Sequence, residues 1–294
     1  MKTYKSLKHY YTDLELALEG ADPAIVADAL DDAEEFLEEN MAEQISSGDA
    51  PNKKEAARKA CEAYGEPEDV AKEYLKQDKS WKKKEKKKEA PKEGLLKSTF
   101  GVYLMGRTYA NMLYLFLMFP LGILYFTYIV TGISTCAGLV ITVVGIPLGI
   151  LFLLSFIYIG WFHGRMTEVL LGIRMPKKRR KMYGTGTAWQ KFKTAVKNPR
   201  LYSTVLYLFL MFPLGIFYFC VLVTFLSVAL ALISAPLLYV ISESIDIQVG
   251  LPAPVWFQVL LSLLGFVMLT WTMHLSNIMA GLHGKLTVAL LLRR

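Results

Sequence analysis

From Thr108 to Gly164 the chain carries no Asp, Glu, Lys or Arg. A helix packed in a water-soluble core keeps one wet, charged face, so an uncharged run of this length belongs in a lipid bilayer. The charges omitted here are crowded elsewhere. Residues 1–77 hold 9 Lys/Arg against 19 Asp/Glu, although the 294-residue chain as a whole is at +7. Basic collars occupy residues 78–106 and 165–200. With 53% hydrophobic residues, a purely soluble or disordered chain is excluded.

The membrane part contains an internal duplication. The stretch from Arg107 to Phe126, which includes Tyr114-Leu-Phe-Leu-Met-Phe-Pro120-Leu-Gly122, recurs from Arg200 to Phe219 with Pro213 and Gly215. A second echo links Phe162-His163-Gly164-Arg165-Met166-Thr167 to Leu282-His283-Gly284-Lys285-Leu286-Thr287. Each unit therefore opens with a Pro-Leu-Gly span and closes with a His-Gly-basic element.

In the first unit, residues 108–131 and 136–161 are long enough to cross a membrane, with a turn expected at Gly132-Ile133-Ser134. In the second, residues 202–241 are too long for one straight span, and Pro236 is the expected break before the chain returns over 255–276. The proposed outer segments, 132–135 and 242–254, lack Lys and Arg. The positive-inside rule then places both termini in the cytoplasm of a multi-pass cell-membrane protein. An even number of spans per unit makes the repeats parallel.

The acidic front, residues 1–77, reads as four helices. Leu7, Tyr11, Leu14 and Leu18 line the first, which Gly20 closes. Asp22 and Pro23 start the second, with Val26, Leu30, Ala33, Leu37 and Met41 on its apolar face. Asp31, Asp32, Glu35, Glu38 and Glu39 form the opposite face, a solvated surface or a docking face for a partner. Asn52, three residues before Glu55, starts the third helix, Gly65 ends it, and a fourth begins at Pro67. Such an acidic surface excludes a grip on nucleic acid.

The whole is expected to be all-α, a small cytoplasmic helical domain followed by a polytopic helical membrane domain. Its divisions are 1–77, a Lys-rich linker at 78–106, repeat one at 107–175, a basic connector at 176–199, and repeat two at 200–294. Lys82, Lys83, Lys84, Lys86, Lys87 and Lys88, with Lys177, Lys178, Arg179, Arg180 and Lys181, are candidate contacts for anionic lipid or an acidic partner; they equally serve as topology signals. Trp161, Phe162, Met166, Val169, Leu170 and Ile173 suggest an interfacial helix, as do Trp189, Phe192 and Val196.

His163 and His283 are expected near the inner surface, as titratable or headgroup-contacting groups or simply as residues at a helix start beside glycine. Pro120, Pro147 and Pro213 are candidate kinks that frame a cavity or merely shape packing. Glu243, Asp246 and Gln248 make a weak outer cation site or a solvated loop. Cys61, Cys136 and Cys220 form no disulfide or zinc pattern. No catalytic, cofactor-binding or metal site is expected, since no phosphate loop, nucleophile signature or carboxylate pair occurs.

Two resemblances follow. The segments YTDLELAL and KKEAARKACEAYGEPEDVAKEYL make residues 4–77 similar to the HAAS signalling domain, which implies an adaptor without catalytic residues. Arg107, the paired Pro-Leu-Gly spans, Gly145-Ile-Pro-Leu-Gly149 and Trp189 make residues 103–294 resemble the putative-sensor membrane domain, here without a kinase core. They imply non-enzymatic signalling to a cytoplasmic partner or through self-association. The other classes open to the sequence are a lipid-associated membrane-organising scaffold and, more weakly, a transporter of a hydrophobic substrate.

Overall fold

The structure, a computed structural model, describes Tyr4 and residues 6–88, 101–139, 145–177, 193, 197–245 and 254–292. Among these the chain is all-helical, with eight α-helices and no strand. It divides into two compact units, one built on residues 1–91 with 174–194, the other on 92–173 with 195–293.

The front unit holds α1 (Leu7–Ala17), α2 (Pro23–Ser46), α3 (Lys53–Tyr64) and α4 (Pro67–Lys88). Their starts follow from local chemistry. The Asp22 side chain accepts the Ala24 N–H at 2.8 Å, and Asn52 accepts the Glu55 N–H at 2.9 Å, each satisfying a donor the helix cannot. Gly20 and Gly65 sit at positive φ, where a side chain would strain the turn. The core is Tyr10, Leu14 and Leu18 against Leu30, Ala33, Leu37, Ala60 and Ala71. Each fully buried leucine contributes roughly 1.5–3 kcal/mol. Cys61 fills the same core, and burial pushes its thiol up to about 11, so it remains a protonated, unreactive filler at neutral pH.

The acidic face of α2 is only partly wet. Glu38 and Glu39 are exposed, but Asp31, Asp32 and Glu35 are half-buried, and Tyr74 on α4 donates to Asp32 Oδ2. The fourth helix runs on to Lys88. Its lysine side chains from Lys82 to Lys88, like Lys178, Arg179, Arg180 and Lys181, lie outside the described residues. Lys177 is described, and its backbone N–H donates to Asp28 Oδ1 at 2.8 Å within the front unit.

The second unit holds α5 (Gly106–Leu139), α6 (Gly145–Leu171), α7 (Pro199–Ile245) and α8 (Val255–Leu291), preceded by a single 3₁₀ turn at Gly101–Tyr103. All four are long and apolar enough to cross a membrane. Their large apolar side chains, such as Leu124, Phe217, Leu263 and Val267, point outward, while Thr108, Thr167, Gln258, Thr272 and Ser276 are buried. A soluble domain would reverse that distribution.

Three expectations are corrected. The turn at 132–134 does not form, because α5 continues to Leu139; a Cβ on Gly132 would lie 1.9 Å from the Phe152 ring, so this glycine serves close packing. Pro236 does not break the second run. Helix α7 passes through both Pro213 and Pro236 for 47 residues, about 70 Å, and so extends beyond the hydrocarbon layer. The expected interfacial helix after Trp161 is the uninterrupted end of α6, where His163, Gly164, Thr167 and Leu171 are the buried face and Phe162 and Val169 are exposed. Pro147 lies in the first turn of α6, where its missing N–H costs nothing. Trp189, Phe192, Val196, Asp246 and Gln248, and the side chain of Glu243, lie outside the described residues.

Candidate functional site

The two Pro-Leu-Gly copies meet at a crossing of α5 and α7 that only glycine permits. A Cβ on Gly122 would stand 2.6 Å from Met211 O, and one on Gly215 would stand 2.5 Å from Met118 O. Backbone therefore touches backbone, in the manner of small-residue contacts between membrane helices. Around it Phe119 stacks on Phe219, and Phe126 on Phe212, both with ring centroids 4.6 Å apart. Pro120 and Pro213 each lie two residues before the crossing glycine, inside unbroken helices.

Beside this crossing lies a polar node that occurs twice. Tyr114 and Tyr125 are eleven residues apart, three turns of α5, and so share one face. His163 and Thr167, spaced i,i+4, share a face of α6. The Tyr114 hydroxyl lies 3.2 Å from His163 Nε2 and 3.0 Å from Thr167 Oγ1, while the Tyr125 hydroxyl lies 3.3 Å from His163 Nδ1. Thr167 donates to the His163 carbonyl at 3.0 Å.

The same arrangement recurs on α7 and α8. Tyr207 reaches His283 Nε2 at 3.4 Å and Thr287 at 2.9 Å, Tyr218 reaches His283 Nδ1 at 3.3 Å, and Thr287 donates to the His283 carbonyl at 2.9 Å. The nodes adjoin, for the Tyr114 and His283 rings are 5.5 Å apart and those of His163 and Tyr207 are 5.3 Å apart. The central hydroxyls of Tyr114 and Tyr207 also interact with each other.

Both histidines are thus buried in mid-helix, eight residues before the ends of α6 and α8, and not at a helix start or in contact with headgroups. Pro120, Gly122, Pro213, Gly215, His163 and His283 all converge in this unit. The tyrosines and threonines of the node are uncharged and leave no mark in a charge pattern. Their signal lay in the duplication, where Tyr114, Tyr125 and Thr167 each have an identical counterpart.

Further bonds hold the unit together. Asn111 Nδ2 donates to Asn277 Oδ1 at 2.8 Å, Asn277 donates to Thr108 at 3.2 Å, and Tyr103 pairs with Thr270 at 2.8 Å, all fastening the start of the unit to α8. Arg107 donates to the Leu171 carbonyl at 2.9 Å, capping α6 just before Gly172, whose φ is +66°. Among the described residues no group of three or more His, Cys, Asp or Glu could hold a metal ion.

Residues 77–291 match the model of the family described as "Putative sensor". The chain belongs to this family. With its four apolar helices it is a multi-pass, sensor-like membrane protein. The matched region begins only at residue 77, so α1–α3 lie outside it. No curated protein and no solved structure matches the chain.

Proposed function

We propose that this protein is a non-enzymatic signalling component of the cytoplasmic membrane, in which the four-span unit senses a membrane or envelope state and the front unit presents it to a cytoplasmic partner. Both termini face the cytoplasm, and the two Pro-Leu-Gly units act as parallel repeats about an axis along the membrane normal. The observation that carries this reading is the doubled node at the glycine crossing. It ties each Pro-Leu-Gly helix to its own histidine helix by hydrogen bonds whose breakage changes how the spans pack. Six residues after α6 ends, Lys177 is bonded to Asp28 of the front unit, so the chain offers a short covalent route between sensing and presentation.

The front unit supports the adaptor role through its HAAS-like sequence and its partly exposed acidic helix. Its lysines from Lys82 to Lys88 would hold anionic headgroups, at about 1 kcal/mol per Lys near the surface. Cross-linking in native membranes, followed by purification of the full chain and of a chain lacking residues 1–77, tests the proposal. A partner recovered with the full chain and lost with the deletion is the expected result. Identical recoveries would reject the front unit as the presenting element, and favour a scaffold acting on the bilayer.

A further inference from the structure

We infer that His163 and His283 are each locked as a neutral ring with its hydrogen on Nε2, and that the two nodes form a latch that an additional proton opens. The inference deepens the sensor reading by naming the proton as an effector, and it rests on that reading. It follows from counting hydrogens. A carbonyl can only accept, so the hydroxyl hydrogen of Thr167 is committed to the His163 carbonyl. The 3.0 Å contact between the Tyr114 and Thr167 oxygens needs a hydrogen between them, and only that of Tyr114 remains.

Tyr114 then has no hydrogen for the ring, so at 3.2 Å it accepts one from Nε2. A neutral imidazole with Nε2–H carries a bare Nδ1, which accepts from Tyr125 at 3.3 Å. Every donor is used and the chain runs one way, from Tyr125 through His163 and Tyr114 to Thr167 and the backbone.

The copy closes identically from Tyr218 through His283 and Tyr207 to Thr287. By the same count the hydrogen of Tyr207 goes to Thr287, 2.9 Å away, and none is left for the ring. A second proton on either ring would occupy Nδ1 and face the hydrogen of Tyr125 or Tyr218. That hydroxyl must then turn to accept from Nδ1–H, and its own hydrogen is left without an acceptor in a setting that offers no water, which drives the node toward another packing.

The titratable groups facing the rings are the four tyrosines and the other histidine. Among the described residues of the four helices no carboxylate offers itself as a counter-ion, because α5 and α8 carry no acid, Glu168 on α6 pairs with Arg165, and position 243 is at the far end of α7. Of the basic groups, Arg107 binds the Leu171 carbonyl and Lys285 is exposed.

The test uses the full chain in lipid bilayers with histidines labelled by nitrogen-15. At neutral pH both buried rings should show a protonated Nε2 and a bare Nδ1, whereas exposed His9 should show mixed tautomers. Replacing Thr167→Val and Thr287→Val frees the Tyr114 and Tyr207 hydrogens, and should convert the fixed rings to mixtures. On acidification, protonation of either ring should coincide with a changed separation between spin labels at the lipid-facing positions Leu113 and Phe162. An Nδ1–H or charged ring at neutral pH would overturn the inference. A label separation that stays constant after the rings have charged would overturn the latch and leave the sensor reading standing.

Discussion

Tyr10 in the front unit and Tyr114 in the membrane unit are both wholly buried, yet their hydroxyls end in different company. That of Tyr10 donates to the Gly65 carbonyl at 2.8 Å and leaves the leucines and alanines around it dry. That of Tyr114 joins a side-chain network spanning two helices. The contrast follows from the solvent outside. The front unit is held by moving apolar area away from water, with buried polar groups satisfied one at a time. The membrane unit gains little from burying leucine, since lipid is as apolar as its interior, and relies on close backbone contact and inward polar bonds.

Opposite substitutions should therefore damage the two units. In the front unit, Leu14→Ala removes a side chain with no exposure and should cost about 3 kcal/mol, read as earlier loss of α1 and α2 protection in hydrogen exchange of the full chain. Leu124→Ala in the membrane unit, at a leucine 62% exposed to lipid, should change little. Equal losses would break the comparison at its base.

The reverse asymmetry comes next. Gly215→Ala places a Cβ 2.5 Å from a carbonyl oxygen that belongs to the facing backbone and cannot swing aside, and should cost about 2 kcal/mol in detergent unfolding. Gly48→Ala offers the front-unit control, since nothing lies within 4 Å of its added Cβ and only its positive φ opposes the change.

How far this was visible in the sequence depends on the same physics. Charge and apolar length exposed the spans, and cap chemistry at Asp22, Asn52, Gly20 and Gly65 marked the front helices, because these signals are local. Gly132 and Pro236 misled. Both tend to break helices in water, where freed backbone groups are solvated, but in an apolar membrane helix only the bond at the proline nitrogen is given up and the helix continues. The histidines were visible as a repeated pair, but their tyrosine partners come from other helices, and pairing between helices has no local signature.

A smaller effect is expected within the node. Tyr114→Phe and Tyr207→Phe each remove a hydroxyl while keeping ring packing, and should cost about 0.6 kcal/mol apiece, the usual scale for a side-chain bond between membrane helices. Because the two hydroxyls interact, the double variant should depart from the sum, whereas pairing either with Leu14→Ala should be additive. Additivity in both cases would mean that the two nodes are energetically separate.

The smallest effect concerns Asp28, where the front unit buries a carboxyl on α2. Desolvation raises its titration above the ordinary range, the Lys177 N–H opposes that rise, and neighbouring Asp32 and Asp31 add to it. The unfolded carboxyl titrates near its free value of about 3.9. Between that pH and the higher folded value the native chain holds more protons than the unfolded one, so stability falls as pH rises through this window, and the loss is complete above it. Asp28→Asn retains an oxygen to accept from Lys177 and removes the charge, so it should increase protection of α2 amides at pH 7 and have no effect below the free value. Decreased protection at pH 7 would mean that the charged form is preferred, and that attraction to the basic segment following α6 outweighs the cost of burial.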